Sequence, residues 1–399
     1  MSDLLEALIE SAIDAIQRFD SPAALDAIGR MPAQEVPDAL GAIAFMSAAL
    51  TARQSGDIAL YERLAKVGGR VAGSLDERPD PPEDPGAHTT MRRYVGEAFI
   101  AVGRDRRAAK EMRVGLQFYH EIREAMAARG PAHDDEAGTA ADALRLFADG
   151  LLDLGEIDEN GDAIDYALTI WREALPACEG RDDAVTRVRS RVRFAEALIN
   201  RASHDDDDAK VEEARALLDE AVAWPDADGE PELARMVANA RSTRATLGML
   251  RAARAGGPPD AGTLDDFEAA AAALRALGDD ENEAAAMINL ASARLMGVVD
   301  GQGPAAAATL RRCVDEYRAA QAKRAGREGG RNWVNAQAML AQTLWLLAKA
   351  TGERGPAEAA LTAVDDVERH RKGGFAMADE RLAELTKEIR AWLSAPPAS

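Results

Sequence analysis

Two clusters of acidic residues, each beside a histidine, are the densest groups of chemically capable side chains in this 399-residue chain. They are His133, Asp134, Asp135 and Glu136 in the first cluster, and His204, Asp205, Asp206, Asp207 and Asp208 in the second. Carboxylates beside an imidazole could bind a divalent cation. Both clusters, however, fall in predicted turns, where Asp is favoured as a helix N-cap, and the spacing and interior glycine of a calcium loop are absent. We therefore predict no metal and no cofactor.

Nucleophilic chemistry has no local signature in the sequence. Cys178 and Cys313 lie far apart in predicted helices and have no metal or redox spacing. His88, His120 and His370 have no neighbouring serine, cysteine or carboxylate arranged as a nucleophile with its base. We predict that the protein is not an enzyme and has no catalytic residues. An all-α enzyme, with an active site assembled from residues distant in sequence, is an alternative.

The charge of the chain excludes several classes of partner. Its 69 acidic and 48 basic residues give a formal net charge of −21, which repels nucleic acid and anionic membranes. The N-terminus lacks the basic start and apolar core of a secretory signal, and no apolar run is long enough to span a bilayer. Two isolated cysteines are typical of a reducing compartment. These features together predict a cytoplasmic protein.

The elements that must position the side chains are helices. The residues are 47% hydrophobic but only 5% aromatic, and alanine, the best helix former, fills long runs. Turns rich in Pro, Gly and Asp separate paired helical patterns, so we predict an all-α protein. The second helix of each pair recurs at intervals of 41 to 56 residues. These predicted helices start near Asp57, Asp105, Gly161, Asp208, Gly262, Gly303 and Gly355.

Small and large residues follow a repeating order in these helices. The clearest example is the stretch RRYVGEAFIAVGRDRRAAKEMRVG, whose pattern consists of Val95, Gly96, Phe99, Gly103, Ala108, Met112 and Gly115. A mid-helix glycine costs about 1 kcal/mol relative to alanine, so Gly96 indicates a close helix contact. The pattern resembles a tetratricopeptide repeat. Its lengthened turns resemble the degenerate repeats that accompany bacterial CHAT proteases and STAND ATPases.

This resemblance implies a fold and a division of the chain. The fold is a right-handed α-α superhelix, a tetratricopeptide-like solenoid of about seven helical hairpins. Residues 1–75 form weakly repeat-like N-terminal hairpins, residues 89–371 form the repeats, and residues 376–395 form a C-terminal capping helix.

The resemblance also implies a partner-binding surface, because first helices line the concave groove in this family. The corresponding residues are Arg93, Glu97, Arg145, Asp149, Arg189, Arg193, Glu196, Asn200, Ser292, Asn335 and Gln342. Arginine and acid side chains there would suit an extended acidic or mixed-charge peptide.

We therefore predict a scaffold that binds a protein or peptide partner, with self-association left open. The remaining alternative is a sensor or protease-substrate subunit of a bacterial signalling or defence system, cleaved in loops 76–88 or 255–262.

Overall fold

The computed structural model describes residues 3–75, 85–129, 134–180, 183–225, 229–298, 303–325, 331–370 and 376–395, which form α-helices, one short 3-10 helix and no strands. The helices are α1 Asp3–Gln17, α2 Ser21–Arg30, α3 Asp38–Ser55, α4 Ile58–Gly73, α5 Pro85–Arg106, α6 Ala109–Arg129, α7 Asp134–Asp158, α8 Gly161–Glu179, α9 Ala184–Ala202, α10 Asp208–Val222, α11 Pro231–Arg254, α12 Ala261–Ala276, α13 Asp280–Met296, α14 Pro304–Lys323, α15 Arg331–Thr351, α16 Arg354–His370 and α17 Ala376–Ser394.

The chain divides into two compact units. Unit 1 is Met1–His204 and contains α1–α9, and unit 2 is Asp205–Ser399 and contains α10–α17. Within each unit, helices that follow one another along the chain pack as neighbours, as in the pairs α5/α6, α7/α8, α13/α14 and α15/α16. The division falls between α9 and α10, inside one of the pairs predicted from the sequence.

Asp-rich turns begin the helices by capping them. The side chains of Asp57, Asp260 and Asp279 each accept a hydrogen bond from a backbone N–H in the first turn of the following helix. Such caps satisfy backbone donors that have no partner inside the helix. Part of the large negative charge of the protein therefore serves to define where its helices start.

Glycines allow α5 and α6 to pack closely. A Cβ atom added at Gly115 would lie 2.6 Å from the carbonyl oxygen of Gly96, and one added at Gly96 would lie 3.0 Å from the carbonyl oxygen of Gly115. A Cβ atom at Gly103 would lie 3.0 Å from the backbone nitrogen of Met112. Each side chain would therefore meet backbone, which cannot move aside locally. The close contact expected at Gly96 is confirmed.

The cores of both units use alanine with a few large side chains. In unit 1, Trp171 and Phe147 are buried, and Ala167 and Ala174 lie one turn to either side of Trp171 in the fully buried stripe of α8. In unit 2, Tyr317 is buried in a cluster that also contains Leu310, Cys313 and Leu344. The buried side chains thus repeat the alternation of small and large residues found in the sequence.

The second helices start within four residues of each predicted position, at Ile58, Ala109, Gly161, Asp208, Ala261, Pro304 and Arg354. Helices also begin inside the stretches 76–86 and 129–138, whose Pro, Gly and Asp content predicts breaks between helices. Helix α5 already begins at Pro85 and α7 at Asp134, because Pro is favoured in the first turn of a helix and Asp at its N-terminus. The predicted all-α, tetratricopeptide-like arrangement of helical hairpins is confirmed.

Candidate partner-binding surfaces

The predicted partner-binding residues lie on first helices in both units. Eight are in unit 1, on α5, α7 and α9, and three are in unit 2, on α13 and α15. We name the two groups separately. The charged face comprises the eight residues of unit 1 with the side chains that pair with them, and the unit 2 pocket is the cavity that the other three residues line.

Glu97 binds residues of the preceding hairpin. Its carboxylate accepts hydrogen bonds from the guanidinium of Arg53 on α3, at 2.6 and 2.7 Å from Nη2, and from the hydroxyl of Tyr61 on α4, at 3.0 Å. Burial, and then the charge of Glu97, raise the pKa of Tyr61 to about 12. The carboxylate therefore serves to join α3, α4 and α5.

Arg93 does not pair with Glu97, although the two residues are one helical turn apart. Its Nη2 atom lies 3.2 Å from Oδ2 of Asp142 on α7, and its backbone carbonyl accepts a 3.1 Å hydrogen bond from Tyr119. Arg145 makes the expected intrahelical contact, with Nη1 at 3.4 Å from Oδ2 of Asp149. Both arginine side chains are only 15% exposed.

Arg193 joins α9 to α7. Its Nε atom donates to Asp149 at 3.0 Å and its Nη1 atom donates to Glu196 at 2.6 Å. Burial of Arg193 would lower its pKa, but the charges of Asp149 and Glu196 raise that pKa above its ordinary value. Its guanidinium therefore stays cationic and bound to the two helices.

Asn200 and Arg189 complete the charged face on α9. The amide of Asn200 donates to Oε1 of Glu156 on α7 at 3.1 Å. Arg189 is half-buried and precedes Arg193 by one turn. Across α5, α7 and α9, most of the predicted residues are therefore committed to pairs between helices. The charges on this face alternate in sign. A partner that binds to these charged side chains would have to replace the pairs that they already form with one another.

The unit 2 pocket is a cavity of about 590 Å³ between α13, α15 and α17. The predicted residues Ser292, Asn335 and Gln342 all line it. The other lining residues are Ile288, Ala338, Met339, Trp345, Leu346, Lys349, Arg381, Leu382, Glu384, Leu385 and Glu388. Seven of the fourteen lining residues are apolar, and the volume is typical of ligand sites.

The three predicted residues of the pocket differ in their bonding. The hydroxyl of Ser292 already bonds to Tyr317, at 2.8 Å, and to the carbonyl of Ile288, at 2.9 Å. Within the described part of the chain, the side-chain amides of Asn335 and Gln342 have no hydrogen-bond partner. These two amides can therefore bind a ligand without losing an internal bond.

The sequence does not indicate a binding role for the third wall of the pocket, which α17 forms. Nε1 of Trp345 donates to Glu388 at 3.2 Å, and the rings of Trp345 and Trp392 meet edge to face with centroids 5.7 Å apart. Ile389 of the same helix is fully buried. The amphipathic pattern of α17 indicates packing, but only the tertiary contacts place it beside Asn335 and Gln342.

The acidic clusters act as helix starts. Asp134, Asp135 and Glu136 form the start of α7, so the prediction that they lie in a turn is wrong. His133 lies outside the described residues. Asp207 caps α10 at the backbone N–H of Ala209. Lys210 pairs with Asp207 and lies 3.3 Å from Asp205, so a cation already occupies this second cluster. The described residues contain no group of three or more potential metal ligands.

Neither of the two cysteines forms a disulfide, and both are buried. Burial, and then the charge of Glu316, raise the pKa of the Cys313 thiol to about 11. The thiol also donates to the carbonyl of Ala291 at 3.4 Å. A thiol that stays protonated is a poor nucleophile, so the position suits the small core residue predicted from the sequence.

Comparison with known proteins finds no matching family model and no matching curated protein. Solved structures do match. The apo form of RapI is 12% identical, with full coverage of both chains and a TM-score of 0.44. A Rap protein complexed with competence and sporulation factor is 13% identical over 97% of this chain and 99% of that chain, with a TM-score of 0.43.

A third structure is a STAND protein with a tetratricopeptide repeat sensor from Pyrococcus horikoshii. It is 10% identical over 95% of this chain and 53% of that chain, with a TM-score of 0.42. The present chain thus spans about half the length of that protein. Within the described residues, no helix combines the length and apolar character that a membrane span requires.

Proposed function

We propose that this protein is a non-catalytic, cytoplasmic scaffold that holds a protein or peptide partner on the first-helix surfaces of its hairpins. One observation carries the proposal. Three residues selected through the family resemblance, Ser292, Asn335 and Gln342, line one pocket, and two of their side chains have no internal hydrogen bond within the described residues. A repeat scaffold presents ligand-binding groups from successive first helices in this way.

Site-specific photocrosslinking tests the proposal. A benzophenone amino acid replaces Gln342 in the unit 2 pocket or Glu196 on the charged face, and cells of the native host are irradiated. We expect a partner to crosslink from each position. The matched control places the probe at Thr362, an exposed residue on the second helix α16. Equal crosslinking from Thr362, or none from the two first-helix positions, would contradict the proposal.

Charge reversal of the charged face gives a second measurement. We expect the triple variant Arg93→Glu, Arg145→Glu and Arg189→Glu to lose partner capture, since it places acids opposite Asp142 and Asp149. Circular dichroism must show that helicity is retained. Capture of the same partner by the helical triple variant would remove the charged face from the proposal and leave the unit 2 pocket to be tested separately.

The regulatory alternative depends on the loop after α11. Residues 255–260 separate α11 from α12, and Gly256 there adopts a φ of 65°. The other predicted cleavage segment, 76–88, is described only from residue 85, where it is already helical as the start of α5. Cleavage after α11 by a co-encoded protease, with loss of partner binding, would favour this alternative.

A further inference from the structure

The unit 2 pocket has a cation near each end. Lys349 is exposed on α15, with its ammonium 5.3 Å from the centre of the Trp345 ring, and Arg381 is exposed on α17. Neither pairs with a carboxylate within the described residues. In a protein with a net charge of −21, two cations left without carboxylate partners beside one cavity are available to an acidic ligand.

The direction of α17 relative to α15 places Arg381 and Lys349 toward opposite ends of the pocket. Leu382 packs in a cluster with Trp333 and Val334, near the start of α15, whereas Ile389 packs with Trp345 and Ala348, near its end. The two helices therefore run parallel. Arg381 lies toward the Asn335 end of the pocket, and the stretch of α15 that lines the pocket, from Asn335 to Lys349, is about 21 Å long at the helical rise of about 1.5 Å per residue.

The lining between the cations combines apolar side chains with acidic side chains of α17. Met339, Leu346 and Leu385 contribute the apolar surface, and Glu384 and Glu388 belong to α17. A ligand that spans the pocket therefore meets positive charge at each end and negative charge beside its middle. Charge complementarity requires acidic groups at the ends of the ligand and excludes them from its centre.

The side-chain amides of Asn335 and Gln342 provide a second distance that a ligand has to match. Asn335 and Gln342 are two helical turns apart, about 10 Å along α15. In an extended chain, residues three apart are also separated by about 10 Å. The two amides can therefore bind polar groups about 10 Å apart along an extended ligand.

We propose that the unit 2 pocket binds an extended peptide segment of about seven residues, with acidic side chains at both ends and apolar side chains in the centre. This inference rests on the proposed function and specifies the chemistry of the partner at one surface. Seven extended residues place the first and last Cα atoms about 20 Å apart, which matches the length of α15 that lines the pocket from Asn335 to Lys349.

Direct binding to the full-length protein tests the inference. Fluorescence anisotropy is measured with labelled, terminally blocked peptides of sequence Glu-Ala-Leu-Phe-Leu-Ala-Glu and with versions carrying Ala or Lys at both ends. We expect the Glu version to bind at least tenfold more tightly than the Lys version, with the Ala version in between. A version with Glu at the central position should also bind at least tenfold more weakly. Equal affinities, or no binding of the Glu version at millimolar peptide, would overturn the inference.

Variants assign the effect to the two cations. Lys349→Glu and Arg381→Glu should each weaken binding of the Glu version about tenfold and strengthen binding of the Lys version, a reversal that loss of folding cannot produce. Arg390→Glu makes the same charge change at an exposed position of α17 outside the pocket and serves as the control. An Arg390→Glu effect as large as the others would show that only the overall charge of the protein matters.

Failure of this inference is distinguishable from failure of the proposed function. If partner crosslinking from Gln342 succeeds but the peptides show no preference for acidic ends, the scaffold function stands and the assigned peptide chemistry is wrong. If the peptides bind as expected but no partner crosslinks from Gln342 or Glu196 in the native host, the pocket chemistry stands and the scaffold function fails.

Discussion

Asp153 shows how single side chains on the charged face balance burial against charge. Its carboxylate pairs with Arg104 and lies 3.9 Å from Nη2 of Arg193. Burial raises the pKa of Asp153 above its ordinary 3.8, and the two arginines only partly oppose that rise. The native protein therefore holds a proton on this carboxyl at a pH where the unfolded chain has lost it.

This balance gives a pH prediction for Asp153→Asn. The stability contributed by a raised carboxyl pKa is fully present below pH 3.8 and is lost as pH rises through the folded pKa. The unfolding free energy of the wild type, minus that of Asp153→Asn, should therefore fall as pH rises from about 3.5 to 7. Urea unfolding at several pH values measures it. Asp26→Asn, an exposed partner of Arg63, is the control, and a difference that rises with pH would contradict the assignment.

At the scale of elements, hairpin geometry depends on positions where no side chain fits. Gly96 of α5 and Gly115 of α6 approach each other backbone to backbone. Glycine is costly inside a helix, but it allows a helix spacing that no other residue permits. The contact also brings Tyr119 within hydrogen-bond distance of the Arg93 carbonyl, so packing at these glycines helps to set the position of the charged face.

Replacement of Gly96 tests this packing. We expect Gly96→Leu to lower the unfolding free energy by roughly 1 to 3 kcal/mol, or more if the helices cannot separate, because the new side chain meets Tyr119 and the Gly115 carbonyl. Gly73→Leu is the matched control, since a Cβ atom at Gly73 has no other atom within 4 Å. Equal thermal stability of the wild type and Gly96→Leu would show that no close contact exists.

At the scale of the whole molecule, the net charge of −21 restricts the choice of partner. Binding to nucleic acid depends largely on clustered cations that release counterions from phosphates. Here, several arginines, including Arg53, Arg93 and Arg193, are already paired with carboxylates. The molecule therefore offers cations to a ligand at particular places and repels polyanions in general.

This charge predicts the absence of nucleic acid binding. We expect no retardation of a 30-base-pair DNA duplex or of a single-stranded RNA in a gel assay at about 100 mM salt, even at micromolar protein. Supercharged variants give a positive control, since a variant with surface acids changed to lysine should retard both. Binding by the natural protein that weakens steeply with salt would contradict the prediction.

The sequence alone determined the type and order of the elements. Helix periodicity, Asp caps and small residues at turn spacing are local properties, so they located second helices within four residues and identified the contact at Gly96. The resemblance to a tetratricopeptide repeat, which rests on sequence spacing, also selected Ser292, Asn335 and Gln342 as residues of first helices.

Only the tertiary structure decided which side chains pair and what they enclose. Arg93 binds Asp142, 49 positions away, in preference to Glu97 one turn along its own helix. The unit 2 pocket requires α13, α15 and α17 together, and the sequence contains no local signal that Arg381 lies beside Asn335. Such contacts depend on the distances between packed helices, which arise from the summed shapes of many buried side chains and not from any one stretch of the chain.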